Sequence, residues 1–73
     1  MNEDIVRKMQ EYSEIISTEF TEERYSLRSE KGEKLEGMFY ELIEMQEQHL
    51  PAKIRRECDS LAKRILGKVE GLI

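Results

Sequence analysis

His49 and Cys58 are the chain's only imidazole and only thiol, so any nucleophilic, proton-transferring or metal chemistry would have to be built around them. On paper they allow a Cys–His nucleophile pair. Cys58, however, falls within an apolar stripe, the ordinary setting of a small buried thiol. One cysteine and one histidine do not supply the four ligands of a structural zinc site, and a lone cysteine excludes an internal disulfide. Position 46 is Gln, which removes the Glu-x-x-His pair of di-iron bundles, and His-Glu-x-x-His is missing as well. Gly32, Gly37, Gly67 and Gly71 are scattered and build no phosphate-cradling loop. The expectation is a protein that is not an enzyme and needs no cofactor or metal. His49, at the edge of an apolar face just ahead of Pro51, reads as a half-buried side chain bonded to a backbone carbonyl at a helix end. A pH-sensitive interface contact is the sharper alternative.

What remains is charge. The net charge of −4 is unevenly divided: residues 1–50 hold 6 Lys/Arg against 13 Asp/Glu, and residues 51–73 hold 6 against 3. An acidic body therefore ends in a basic segment. Glu30, Glu33 and Glu36, then Glu41, Glu44 and Glu47, form i, i+3 ladders whose like charges slightly oppose helix formation. Such rows suit a basic partner, and Glu41, Glu44 and Glu47 are the candidate partner-binding residues. On the last segment Lys53, Arg56, Lys63, Arg64 and Lys68 form a ridge that could contact phosphates. Overall acidity, the lack of a helix-turn-helix glycine turn and the lack of aromatics among these basic residues all weigh against nucleic acid.

The elements that carry these charges are helical. High Glu, Lys, Arg, Leu and Met content with one proline and no tryptophan favours helix over sheet. Ile5, Met9, Tyr12, Ile16 and Phe20 form a helical stripe, with Asn2 or Asp4 as its cap. Beyond Phe20 the pattern degrades, and Tyr25 points away from the stripe. A first helix over about 3–29 is expected, with a break near 18–21 and Thr21 as N-cap as the alternative. Ser29 to Gly32 punctuates the chain, with Gly32 as a left-handed cap of the first helix or Ser29 as the cap of the second. The second helix, about 33–49, places Leu35, Met38, Phe39, Leu42, Ile43 and Met45 on one face. Pro51 ends it and opens a third helix over 51–71. There Ile54, Cys58, Leu61, Ala62, Ile65, Leu66, Val69, Leu72 and Ile73 share an arc of roughly 140° opposite the basic ridge.

These patterns predict a single all-α domain over 1–73, a three-helix bundle or helical hairpin with a Pro-initiated C-terminal helix. Its core or dimer interface would be Ile5, Met9, Tyr12, Ile16, Phe20, Leu35, Phe39, Leu42, Ile54, Leu61, Ile65 and Val69. A core this small rarely supplies more than roughly 3 to 5 kcal/mol. A first helix approaching 40 Å at 1.5 Å per residue would also overhang the others. Homodimerisation is thus expected to complete the bundle. The N-terminal MNEDIV resembles no signal peptide, and no apolar run is of bilayer length, so a cytoplasmic protein without membrane contact is expected. Function is expected to lie in binding: an adaptor or inhibitor that docks a helical or acidic surface on a larger protein. A nucleic-acid-associated protein using the basic ridge is the alternative.

Overall fold

The structure is a computed structural model and describes residues 2–72, with the Asn2 side chain left aside. The Asn2 cap and the placement of Ile73 in the third helix's arc lie outside the described residues. The described residues form three helices: α1 (Asn2–Glu19), α2 (Glu30–Gln46) and α3 (Ala52–Lys68). Two short strands, β1 (Tyr25–Ser26) and β2 (Val69–Glu70), accompany them. Among the described residues no helix is long and apolar enough to cross a membrane.

The first helix stops at Glu19, ten residues short of the continuous rod expected and within the 18–21 stretch of the alternative, although Thr21, that alternative's N-cap, starts no helix. Local and tertiary causes agree. Ile15, Ile16, Ser17 and Thr18 are weak helix formers, and Thr18 Oγ1 bonds back to the Glu14 carbonyl at 2.9 Å, a contact that bends helices. A continued helix would hold Tyr25 away from the stripe. The break turns it inward, where it is buried and meets the Phe20 ring edge-on at 5.5 Å. Its hydroxyl accepts the Glu22 N–H at 3.0 Å. Lys31 and Lys34 lie over the two rings, and their ammonium groups reach the Glu19 carbonyl at 3.3 Å and the Glu19 carboxylate at 3.0 Å.

Ser29 caps α2. Its Oγ accepts the Gly32 N–H at 3.0 Å and donates to the Ser26 carbonyl at 2.7 Å. Gly32 is therefore helical rather than a left-handed terminator, and α2 begins three residues earlier than its apolar pattern indicates. Glycine is required there because a Cβ would lie 1.8 Å from the Ser26 oxygen. At its far end α2 closes at Gln46, with Glu47 as cap, since the chain must be extended by the time it reaches Pro51. Pro51 stands at the N-cap of α3 and supplies no side-chain cap. The third helix ends at Lys68, earlier than expected, because Val69 turns extended and pairs in parallel with Tyr25.

Arg64 meets Ser13 and Ser17, and Lys68 meets Glu22, so α1 and α3 run the same way. Lys34 against Glu19, and Cys58 against Leu42, set α2 antiparallel to both. The result is an up-down-up bundle with helices of roughly 25 to 27 Å at 1.5 Å per residue. The helices are of near-equal length and the stripe from Ile5 to Phe20 is buried within the chain, so among the described residues the overhang expected of a longer first helix is absent. Ile5, Met9, Tyr12, Ile16, Phe20, Leu35, Phe39, Leu42, Leu61, Ile65 and Val69 are buried together, whereas Ile54 packs at the edge and stays half-exposed. Tyr25, Met38, Cys58, Ala62 and Leu72 complete the core.

Candidate interaction surface

Cys58 and His49 are separated by burial. Cys58 is sealed, with its thiol donating to the Leu42 carbonyl at 3.3 Å. Desolvation pushes its pKa up, the nearby Asp59 carboxylate adds to that, and the neighbouring Gln46 side chain pulls the other way. Burial that shields the thiol from solvent and favours its protonated form is the setting of a packing group. His49 is exposed in the connection between α2 and α3, so the half-buried setting expected for it is corrected.

The basic ridge is largely employed by the fold. Lys63 pairs with Asp59 one turn earlier at 3.1 Å. Arg64 reaches across to the hydroxyls of Ser13 at 3.3 Å and Ser17 at 3.4 Å. Lys68 donates to the Glu22 carbonyl at 2.9 Å, and at the end of α3 it also faces the favourable pole of the helix dipole. Lys53 and Arg56, at the other end of α3, are exposed and make no ion pair among the described residues. Of the five, Arg64 and Lys68 reach to other elements, Lys63 pairs within α3, and Lys53 and Arg56 form no ion pair among the described residues.

The acidic row of α2 is treated differently. Glu41, Glu44 and Glu47 are exposed and form no ion pair among the described residues. Glu41–Glu44 and Glu44–Glu47 repel at i, i+3 spacing, and Glu44 lies in the last turn of a helix with no basic residue there. These charges do nothing for the fold and mildly oppose it. Between them lie Tyr40, 53 % exposed, and Ile43, 39 % exposed. At 100° per residue Gly37, Tyr40 and Glu44 share the outward pole of α2, flanked by Ile43 and Glu47 on one side and Glu41 on the other. Tyr40 is held from beneath by Phe39, its buried neighbour, with ring centroids 5.6 Å apart in an edge-to-face contact.

Ile43, grouped by pattern with the buried face of α2, is therefore on the surface, and so is Leu66 of α3 at 36 % exposure. Sequence reasoning missed Tyr40 altogether. The signal was available: Tyr40 sits two positions from Leu42, some 200° around the helix from the centre of the buried face. No family model, curated protein or solved structure matches this chain. Its surface must be read from its own chemistry.

Proposed function

We propose that this chain is a non-enzymatic interaction protein that docks the outward face of α2 on the basic surface of a larger protein, blocking or adapting it. One observation carries the reading. Tyr40 and Ile43 are exposed among glutamates that the fold neither pairs nor profits from. A rigid, half-exposed tyrosine beside an aliphatic side chain is the usual form of an interface anchor, and a surrounding row of one sign steers encounter with a partner of the other. Two copies meeting through this face about a twofold axis would oppose their own carboxylates. A homodimer would instead bring the α2 face of one copy against Lys53 and Arg56 of the next.

The test is affinity capture from the organism that encodes the chain, using wild type, Tyr40→Ala/Ile43→Ser and Glu44→Lys/Glu47→Lys as parallel baits. The expected result is a protein retained by wild type, lost with the first variant, and weakened by the second and by raised salt. Equal retention on all three baits rejects this face as the docking site. Light scattering on the free chain reports the homodimer. The second reading, phosphate binding by α3, rests on the unpaired Lys53 and Arg56; a low-salt gel shift abolished by Lys53→Glu/Arg56→Glu would favour it.

A further inference from the structure

A concave surface lies away from the α2 face, between α1 and α3. A cavity of about 310 Å³ opens there, floored by Val6, Met9 and Leu61 and edged by Ser13, Ser60 and Arg64, with Gln10 and Glu57 toward its other end. Ser13 on α1 and Ser60 on α3 are the small side chains of its lining. The volume is at the lower end of the range of small-molecule sites, roughly 300 to 1,000 Å³.

The chemistry of the lining is asymmetric. Met9 and Leu61 are buried and Val6 is half-buried, giving an apolar base. Arg64 supplies the cationic end. Its two terminal nitrogens each take one serine hydroxyl, Ser13 and Ser17, and this holds the guanidinium plane at the rim while leaving further N–H donors unused. A planar fork held in place matches a carboxylate better than a point charge does. Glu57 lies two turns away along α3, about 10 Å at 1.5 Å per residue. A second negative charge reaching that end of the cavity would be repelled, and a neutral end is accepted.

The geometry points to a binding site for a small amphipathic monocarboxylate, a free acid whose carboxylate pairs with Arg64 and whose apolar body lies over Val6, Met9 and Leu61. The site is independent of the α2 face, so either can fail without the other.

Octanoate is the probe, followed by amide chemical shifts on the intact chain, with acetate supplying the charge without the body and octan-1-ol the body without the charge. Octanoate is expected to saturate shifts at Val6, Met9, Gln10, Ser13, Ser60 and Leu61, with both controls much weaker. Arg64→Gln should weaken binding about tenfold, the scale of one lost charge-assisted hydrogen bond. Lys53→Gln, on the same helix but outside the cavity, should leave the affinity unchanged. Ser60→Leu should fill the cavity and remove the shifts while the rest of the spectrum stays folded. Octanoate shifts that miss these residues overturn the site, as does equal affinity in Arg64→Gln or octan-1-ol binding as tightly as octanoate.

Discussion

The outward faces of α2 and α3 carry opposite charge over helices of equal length, and the fold uses them in opposite ways. On α3 three of the five ridge residues are engaged: Lys63 with Asp59, Arg64 with two serines of α1, Lys68 with the carbonyl of Glu22. On α2, Glu41, Glu44 and Glu47 are held against one another and, at Glu44, against the helix dipole, with no intramolecular partner among the described residues. A carboxylate row left without an intramolecular partner calls for an outside partner more strongly than a charge that already has one. The acidic face is the better place to look for function, although the basic segment is the one whose composition stands out.

Both faces rest on one seam, so the largest effect should come from beneath them. Leu42 is fully buried and its carbonyl receives the Cys58 thiol. Leu42→Ala should cost about 2 to 5 kcal/mol in urea or thermal unfolding, comparable to the whole stability of so small a domain. Both faces would then be lost together. Tyr40→Ala, two residues away, should cost only about 0.5 to 1.5 kcal/mol, the scale of its edge contact with Phe39. If the two substitutions cost the same, Tyr40 is a core residue and the contrast between inner and outer α2 collapses.

The same helix gives a contrast of sign. At Gly32 a Cβ would collide with the Ser26 carbonyl, whereas at Gly37 it would meet nothing within 4 Å. Gly32→Ala should destabilise by about 1 to 3 kcal/mol through a forced backbone shift. Gly37→Ala should stabilise by about 0.5 to 1 kcal/mol, the ordinary gain in an exposed helix interior. Urea midpoints moving in opposite directions would confirm that only the first glycine serves the fold. A Gly37→Ala protein that is more stable yet binds its partner less well would place that glycine in the docking face.

Cys58 joins α3 to α2 and supplies a pH probe of the seam. Burial raises its pKa above the ordinary thiol value of 9.0. The folded chain therefore keeps a proton that the unfolded chain has begun to release. The stability this contributes is complete below the unfolded pKa and is lost as pH rises from there through the folded value. Urea unfolding followed from pH 7 to 10 should show stability falling above about pH 8.5 to 9. Cys58→Ala, less stable at neutral pH because of the cavity it leaves, should show a shallower fall. An identical slope in the two proteins would mean that the thiol is not desolvated.

Much of the bundle was legible because helical periodicity records burial directly. The stripe from Ile5 to Phe20 and the run Leu61, Ile65, Val69 are buried as their spacing requires. The end of α1 was not legible, because it is fixed by a long-range gain. Tyr25 is off the stripe locally and enters the core only by leaving the helix to lie against Phe20 and pair with Val69, 44 residues on. Parallel pairing of two-residue strands across two intervening helices leaves no local pattern to read. Ile43 and Leu66 were misplaced for another reason: an arc drawn wide enough to hold every apolar residue also takes in those at its edge, where exposure depends on how close the neighbouring helix comes. The two charged rows were legible as rows. Which of them the fold would use depended on Asp59, Ser13, Ser17 and the Glu22 carbonyl lying within reach.

The smallest effects test the comparison most directly, because its two sides predict opposite signs. Lys63→Gln removes an exposed i, i+4 pair and should lower stability by about 0.3 to 0.5 kcal/mol. Glu44→Gln removes repulsion from both Glu41 and Glu47 and relieves a carboxylate at the wrong pole of α2, so it should raise stability by a similar few tenths of a kcal/mol. Added salt should shrink both changes toward zero, since the charged side chains involved are at least partly exposed to solvent. Paired unfolding curves of the two variants at low and high salt make the measurement. If Glu44→Gln is instead destabilising, its carboxylate has an employment within the chain, and the claim that α2 holds its charge for something outside fails at its first step.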